Sequence, residues 1–173
     1  MRQGHAGLVP QQTESRAERD ALVVEPMSTP EHARAFKEMN EEWVRTLFSI
    51  EAADSKILDH PERIVADGGQ VLIARAGAEI LGCGALIAMG DGVFEVSKMA
   101  VPPQYRGRGI GRVVLEALVA HARAIGATSL YLESNRKLAN AVHLYESIGF
   151  VHVQPHAPSP YARADVFMSY DLS

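Results

Sequence analysis

Apolar and polar positions follow two periods along this chain, and the period changes where turn residues cluster. Residues 21–27 form an apolar, β-branched run that predicts a first strand. Ser28-Thr29-Pro30-Glu31 then has the makeup of a helix start, with a hydroxyl cap, a proline in the first turn and an early acid. Phe36, Met39, Trp43 and Leu47 recur every three or four residues, which predicts a helix to about Ile50 and further short helical pieces to Val65. Asp67-Gly68-Gly69 closes this region as a turn. Residues 71–76 and 80–89 read as a hairpin turned at Gly77, and Gly90-Asp91-Gly92 as a second turn. Residues 93–101 are another strand, ended by Pro102-Pro103 because neither proline can donate to a ladder.

Residues 109–125 read as an amphipathic helix. Ile110, Val114, Leu118 and Ile125 lie near one face, Val113 and Leu115 at its edge, and Gly126 stops it. Residues 129–133 predict a buried strand. Ser134 or Asn135 offers a cap for the next helix, which ends at Gly149. Residues 150–153 begin a strand, and His156 to Ser159 is a proline-containing loop. Val166, Met168, Tyr170 and Leu172 then alternate with Asp165, Ser169 and Asp171, giving a final strand with one buried face. The order is a strand, helices, three strands, a helix, a strand, a helix and two strands. It predicts a single α/β domain over residues 21–173 with a mixed sheet, preceded by a polar leader over residues 1–20 that is expected to be disordered.

Composition narrows the possibilities. At 173 residues, 47% hydrophobic and 22% charged, the chain suits one soluble globular domain. A net charge of −4 argues against a general nucleic-acid partner. No run of about 18 apolar residues exists, so no membrane span is expected, and residues 1–20 lack the apolar core of a signal peptide. The single cysteine, Cys83, excludes an internal disulfide. It fits a reducing, cytoplasmic location, and its apolar surroundings predict a buried small residue. Seven histidines show no metal-ligand spacing, and no metal is expected.

Candidate chemistry concentrates in Arg106-Gly107-Arg108-Gly109-Ile110-Gly111. Alternating glycines let the backbone turn sharply and approach a ligand. The amides that open the following helix lack intrahelical partners and sit at the positive end of its dipole. With Arg106, Arg108 and Arg112 added to a chain acidic overall, this is an anion site, or else a tight turn carrying solvated arginines. A dinucleotide fingerprint would need glycine at position 112, where arginine stands, and the Gly-Lys-Ser/Thr of a P-loop is absent.

The wider pattern is more specific. Lys98-Met99-Ala100-Val101, then Pro-Pro-Gln-Tyr, then residues 106–111 resemble the acetyl-CoA signature of the GNAT acetyltransferases. Leu144-Tyr145-Glu146-Ser147-Ile148-Gly149-Phe150 resembles their second hallmark, Leu-Tyr-x-x-x-Gly-Phe, at a fitting distance. The resemblance covers residues 70–155 well and the flanks loosely. It implies a GNAT fold, a mixed and mostly antiparallel sheet of six to seven strands with a central splay, flanked by about four helices. It implies acetyl-CoA as acetyl donor and a primary amine of a small molecule or peptide as acceptor, joined by direct attack in a ternary complex. A non-catalytic acyl-CoA sensor of the same fold is the alternative, and a homodimer stays open as its assembly.

Carried over residue by residue, Met99, Ala100 and Val101 pair with the pantetheine arm, and the amides of Arg106, Gly107, Arg108, Gly109, Ile110 and Gly111, with Arg112, hold the pyrophosphate. Tyr145 matches the tyrosine that protonates the departing thiolate, and Glu95 matches a frequent general base, with Glu133 as second choice. The family's asparagine seven residues before the tyrosine is here Leu138. Asn135 and Asn140 are nearby substitutes out of phase with it. On the acceptor side the resemblance points to Trp43, Phe48, Glu51, Tyr161 and Arg163. Glu38, Glu41, Glu42, Glu51 and Asp54 make the helical region acidic, as a site for a cationic amine or simply as a solvated face.

Overall fold

The computed structural model describes residues 21–155 and 157–173. The expected leader therefore lies outside the described residues, as does His156. Seven strands form one sheet: β1 (Leu22–Pro26), β2 (Gln70–Ala76), β3 (Glu79–Gly90), β4 (Val93–Ala100), β5 (Ser129–Ser134), β6 (Val151–His152) and β7 (Val166–Asp171). Their spatial order is β1-β2-β3-β4-β5-β7-β6. Only β4 and β5 run parallel, and every other neighbouring pair is antiparallel. This is the mixed, mostly antiparallel α/β sheet that the pattern predicts.

Five α-helices cover it: α1 (Pro30–Leu47), α2 (Ala52–Leu58), α3 (Glu62–Ala66), α4 (Ile110–Ala124) and α5 (Ala139–Ile148). The expectation was about four; the short pieces before Val65 are two separate helices. Thr29 caps α1, its hydroxyl oxygen accepting from the His32 amide at 3.1 Å, with Pro30 in the first turn. The helix ends at Leu47 rather than Ile50. Phe48 closes it in extended conformation, and Glu51 and Asp54 then form a reciprocal capping box that starts α2.

The sheet divides the core. Val71 and Ile73 of β2 pack under Phe36, Met39 and Leu58 of α1 and α2. Leu72 and Ala74, on the other face, pack under α4 with Leu86, Leu130 and Met168. Period-2 alternation with both faces covered makes β2 a central scaffold. Gly84 of β3 lets α4 come close, since a Cβ there would lie 2.9 Å from Leu118 Cδ1 and 3.0 Å from Val114 Cγ1.

Two sequence expectations need correction. Ile125 and Val113 are 44% and 37% exposed, whereas Leu115, placed only at the edge, is fully buried with Val119 and Ala122 beside it. Ile125 sits at the C-cap, where the backbone has left the helix, so helical phase no longer governs it. Neither Ser134 nor Asn135 caps α5. Leu138 stands at its N-cap with no side-chain bond, while Asn135 Oδ1 accepts from the Lys137 amide at 2.8 Å, closing a tight turn ahead of the helix.

Candidate active site

The site begins with a failure of strand pairing. β4 and β5 pair only at Val93, Phe94 and Glu95, opposite Ser129, Leu130 and Tyr131. Beyond that point both strands continue unpaired with each other, and the sheet opens into a cleft. On the other side, β4 carries a bulge. Cys83 pairs with Ala100 and Ala85 with Ser97, so Gly84 alone faces Lys98 and Met99. Lys98 adopts φ +54°, a left-handed conformation rare for a long side chain inside a strand. The bulge turns the backbone of residues 98–101 toward the opening.

A cavity of about 760 Å³ fills the splay. One end is the turn into α4. Gly107 and Gly109 take φ +76° and +77°, and Gly109 is the helix N-cap. A Cβ at either would meet nothing within 4 Å, so backbone conformation, not crowding, calls for glycine there. The Arg106 Nε–H donates to the Val101 carbonyl at 3.1 Å, tying the loop to the end of the β4 segment. Arg112 reaches α5, donating to the Ser147 hydroxyl at 2.8 Å.

Every residue the sequence proposes for cofactor, catalysis or acceptor lines this cavity except Arg108 and Glu51. The Arg108 side chain folds back over the preceding turn, 5.6 Å from the Tyr105 ring and within reach of the Gln104 carbonyl. Asn135 lines the cleft with its amide already committed, Nδ2 donating to the Arg163 carbonyl at 2.6 Å. Asn140 is exposed at the margin, and Leu138 is half-buried. Tyr145 stands on α5, edge-on to Phe150 with ring centroids 6.0 Å apart. Burial pushes its hydroxyl up to about 12.

Glu95 is the last β4 residue paired to β5 and lines the cleft. Burial pushes its carboxyl up to about 7, and Glu133 adds to the effect while the Lys98 ammonium opposes it. Glu133 is held by two hydroxyl donors, Tyr131 at 3.1 Å and Ser159 at 2.5 Å. It is the more committed of the two carboxylates.

The far wall holds what the sequence did not reveal. Asp54 is fully buried, and its carboxylate takes Lys98 Nζ at 2.7 Å and Arg163 Nη2 at 2.6 Å. Burial alone would raise the Asp54 carboxyl, but the bonds from Arg163 and Lys98 hold it well below the usual range. Glu51 accepts from Arg163 at 3.1 Å and from the Ala162 amide at 2.9 Å. Around the Arg163 guanidinium stand the rings of Tyr161 at 4.6 Å, Trp43 at 5.8 Å and Phe48 at 5.8 Å. The acidic helical face is thus largely neutralised within the chain, since Glu41 also pairs with Lys37 and Arg45. Trp43 and Phe48 form a T-shaped pair on the cleft wall rather than lying in the core. Asn40, fully buried, completes the set: it donates to the Lys98 carbonyl at 3.0 Å and accepts from Trp43 Nε1 at 3.2 Å.

Among the described residues, no cluster of three or more His, Cys, Asp or Glu side chains could hold a metal ion. No helix of the described residues is long and apolar enough to cross a membrane.

A seven-stranded sheet opened between two parallel strands, with a glycine-arginine turn at one end of the opening, defines an acyltransferase-type fold. The acetyltransferase (GNAT) family model matches residues 34–150, and the chain belongs to that family. The IAA acetyltransferase of Azospirillum brasilense is 32% identical over 139 residues, 80% of this chain and 91% of that protein. An acetyltransferase of GNAT family from Staphylococcus aureus Mu50 superposes with a TM-score of 0.79 at 20% identity, over 88% of this chain and 100% of the other. A Salmonella typhimurium protein solved with its cofactor acetyl-CoA superposes at 0.71 and 20% identity, over 88% and 95% of the two chains. At those identities the two structures share the fold with this chain.

Proposed function

We propose that this protein is an N-acetyltransferase that moves an acetyl group from acetyl-CoA to a primary amine of a small molecule or peptide, by direct attack in a ternary complex. The observation that carries the reading is Glu95, a carboxylate raised to about 7 by burial at the point where β4 and β5 separate. A sensor that only binds acyl-CoA has no use for a buried base poised near neutrality.

The residues present suit acetyl-CoA, which supplies a thioester whose carbonyl carbon is the electrophile. The unpaired edge of β4 at Met99, Ala100 and Val101 offers backbone donors and acceptors to an extended amide-bearing arm, as an added strand would. The helix-start amides of residues 106–111, with Arg106 and Arg112, offer donors and positive charge to a pyrophosphate. Leu138 gives the arm an apolar contact where many family members have an amide. A backbone amide near Val101 serves as hydrogen-bond donor to the oxygen on which charge develops.

Protons then have defined places to go. The incoming ammonium, with a pKa near 10.4, must lose a proton before its nitrogen can attack. Glu95 accepts it, directly or through water; the neutral nitrogen then attacks, and as the N–C bond forms and the C–S bond breaks its second proton passes through water to the released thiolate. Tyr145 donates from its hydroxyl to the departing sulfur. With its own pKa about 12 against about 8.5 for a thiol, it acts chiefly as a hydrogen-bond donor to the thiolate. A covalent acetyl-cysteine route has no support. Cys83 is the only cysteine, it is 1% exposed, and burial pushes its thiol up to about 12. A cytoplasmic setting accords with that single buried thiol.

The test is acetyl-CoA turnover by purified protein against a broad amine panel, followed as free thiol. Release that depends on the amine is expected. No release with any amine, together with no CoA binding by calorimetry, would sink the proposal.

A further inference from the structure

The cluster behind the cleft has no place in the proton path, yet it touches the strand that carries the reaction. Lys98 is 7% exposed and lies in the β4 bulge, three residues beyond Glu95. Its backbone and its side chain are each fixed from behind. The carbonyl accepts from Asn40 Nδ2 at 3.0 Å and from the Cys83 thiol at 3.6 Å. The ammonium donates to Asp54 at 2.7 Å and lies 4.6 Å from the Tyr161 ring centroid. A left-handed lysine inside a strand is strained by itself, so the surroundings must hold it there. Ordinary strand packing does not ask for such a residue. A bulge that must present its backbone at a fixed angle does.

The two anchors also reach the acceptor wall. Asn40, while holding the Lys98 carbonyl, accepts from the Trp43 indole at 3.2 Å. Asp54, while holding the ammonium, binds Arg163, which lies against Trp43, Phe48 and Tyr161. Three elements far apart in sequence, α1, α2 and residues 159–165, therefore converge on one residue of β4.

We infer that Lys98 is a positioning residue for acetyl transfer: anchored by Asn40 and Asp54, it fixes the angle of the β4 bulge toward the thioester and holds its ammonium in the cleft that Glu95 also lines. The inference rests on the reading of Glu95 as the base. The charged and titratable groups around Glu95 are Lys98 on its own strand, Glu133 and Tyr131 on β5, and Tyr161 on the loop. Asp54 on α2 and Arg163 stand behind Lys98. The net field is mixed, with Glu133 raising the Glu95 carboxyl and Lys98 lowering it.

The two halves of the inference are tested separately, and neither test needs the acceptor. For the charge, the Glu95 carboxyl is titrated by carbon-13 NMR in glutamate-labelled protein, with Glu95→Gln used to assign the signal. Lys98→Gln retains a polar donor, on a side chain one bond shorter, and removes the charge. It is expected to raise the Glu95 midpoint by at least about half a pH unit, and Lys98→Arg to restore it. For the backbone, acetyl-CoA labelled with carbon-13 at the acetyl carbonyl is bound to wild type and to Asn40→Ala. The variant is expected to lose at least half of the downfield carbonyl shift seen on binding, with CoA affinity unchanged within about twofold.

An unmoved Glu95 midpoint in folded Lys98→Gln overturns the charge half, and an unmoved carbonyl shift in Asn40→Ala overturns the backbone half. If Lys98→Gln does not fold, the Asn40→Ala measurement decides alone. A wild-type Glu95 midpoint in the ordinary carboxylate range would instead remove the base reading itself, and the carbonyl shift would still report on the bulge.

Discussion

One wall of the cleft comes from a single stretch of chain, residues 99–112, another is assembled from three, residues 40–54, 95–98 and 159–165, and residues 133–145 line the rest. The first uses backbone: an unpaired strand edge, two left-handed glycines and the start of α4. The second uses side chains, with Asp54, Lys98 and Arg163 locking α2, β4 and a loop together. Backbone recognition tolerates change in nearly every side chain. An ion-pair lock tolerates almost none, because a partner left alone is an uncompensated buried charge. The comparison predicts that CoA affinity survives damage to the side-chain lock, even where the angle presented to the thioester changes.

The largest effect belongs to the residue where the walls meet. Glu95→Gln should lower kcat/KM by about 10²- to 10⁴-fold. With Glu95 as the proposed base, wild-type kcat/KM should rise with pH through about 7 and fall about tenfold per unit below it. The variant should lose that limb, and a pH profile recorded on both proteins checks this. Next comes Asp54→Ala, which strands Lys98 and Arg163 and should cost about 3–5 kcal/mol of stability by denaturant titration. Asp54 is held below its ordinary range when folded, so its contribution is present above the usual carboxylate pKa and fades as pH falls. The fraction that remains folded should bind CoA as wild type does; weaker CoA binding would break the separation of the two walls.

Smaller effects sharpen it from the other side. Gly109→Val forces a β-branched residue to φ +77° and should weaken CoA binding by about ten- to a hundredfold by calorimetry, from a strain of about 1–3 kcal/mol. It should leave the Glu95 titration where it was. Tyr145→Phe should lower kcat by about tenfold with CoA affinity intact, since the thiolate is already a fair leaving group. Leu138→Asn should do least, tightening CoA binding by about threefold if a new hydrogen bond to the arm forms.

The same contrast explains what could be read in the sequence. The glycine turn, the strand before it and Tyr145 were legible because each is local and their spacing is set by helix and strand geometry. The succession of elements along the chain was legible too, because β7 alternates cleanly and glycine or proline separates most elements. Glu95 came from the family resemblance, which points to the position six residues before Val101, and the residue there does line the cleft. The lock was not. Asp54 reads as one acid among several on a helix, and Lys98 as a flank of the cofactor motif. Nothing local marks them as partners 44 residues apart. Asn135 failed for a related reason: it resembles a helix cap, but the chain turns once more before α5, and its amide is used in that turn. Ile125 fits the helical period and still lies in water, because the helix ends one residue before it.

The position of Cys83 bears on how any of this would be measured. CoA release is commonly followed with a thiol-reactive disulfide dye, and a protein thiol that reacts as well confuses the count. Here the lone thiol is buried on β3 with its proton directed to the Lys98 carbonyl. Folded protein should therefore give a flat blank, and a rising one would report that β3 and the bulge have come apart.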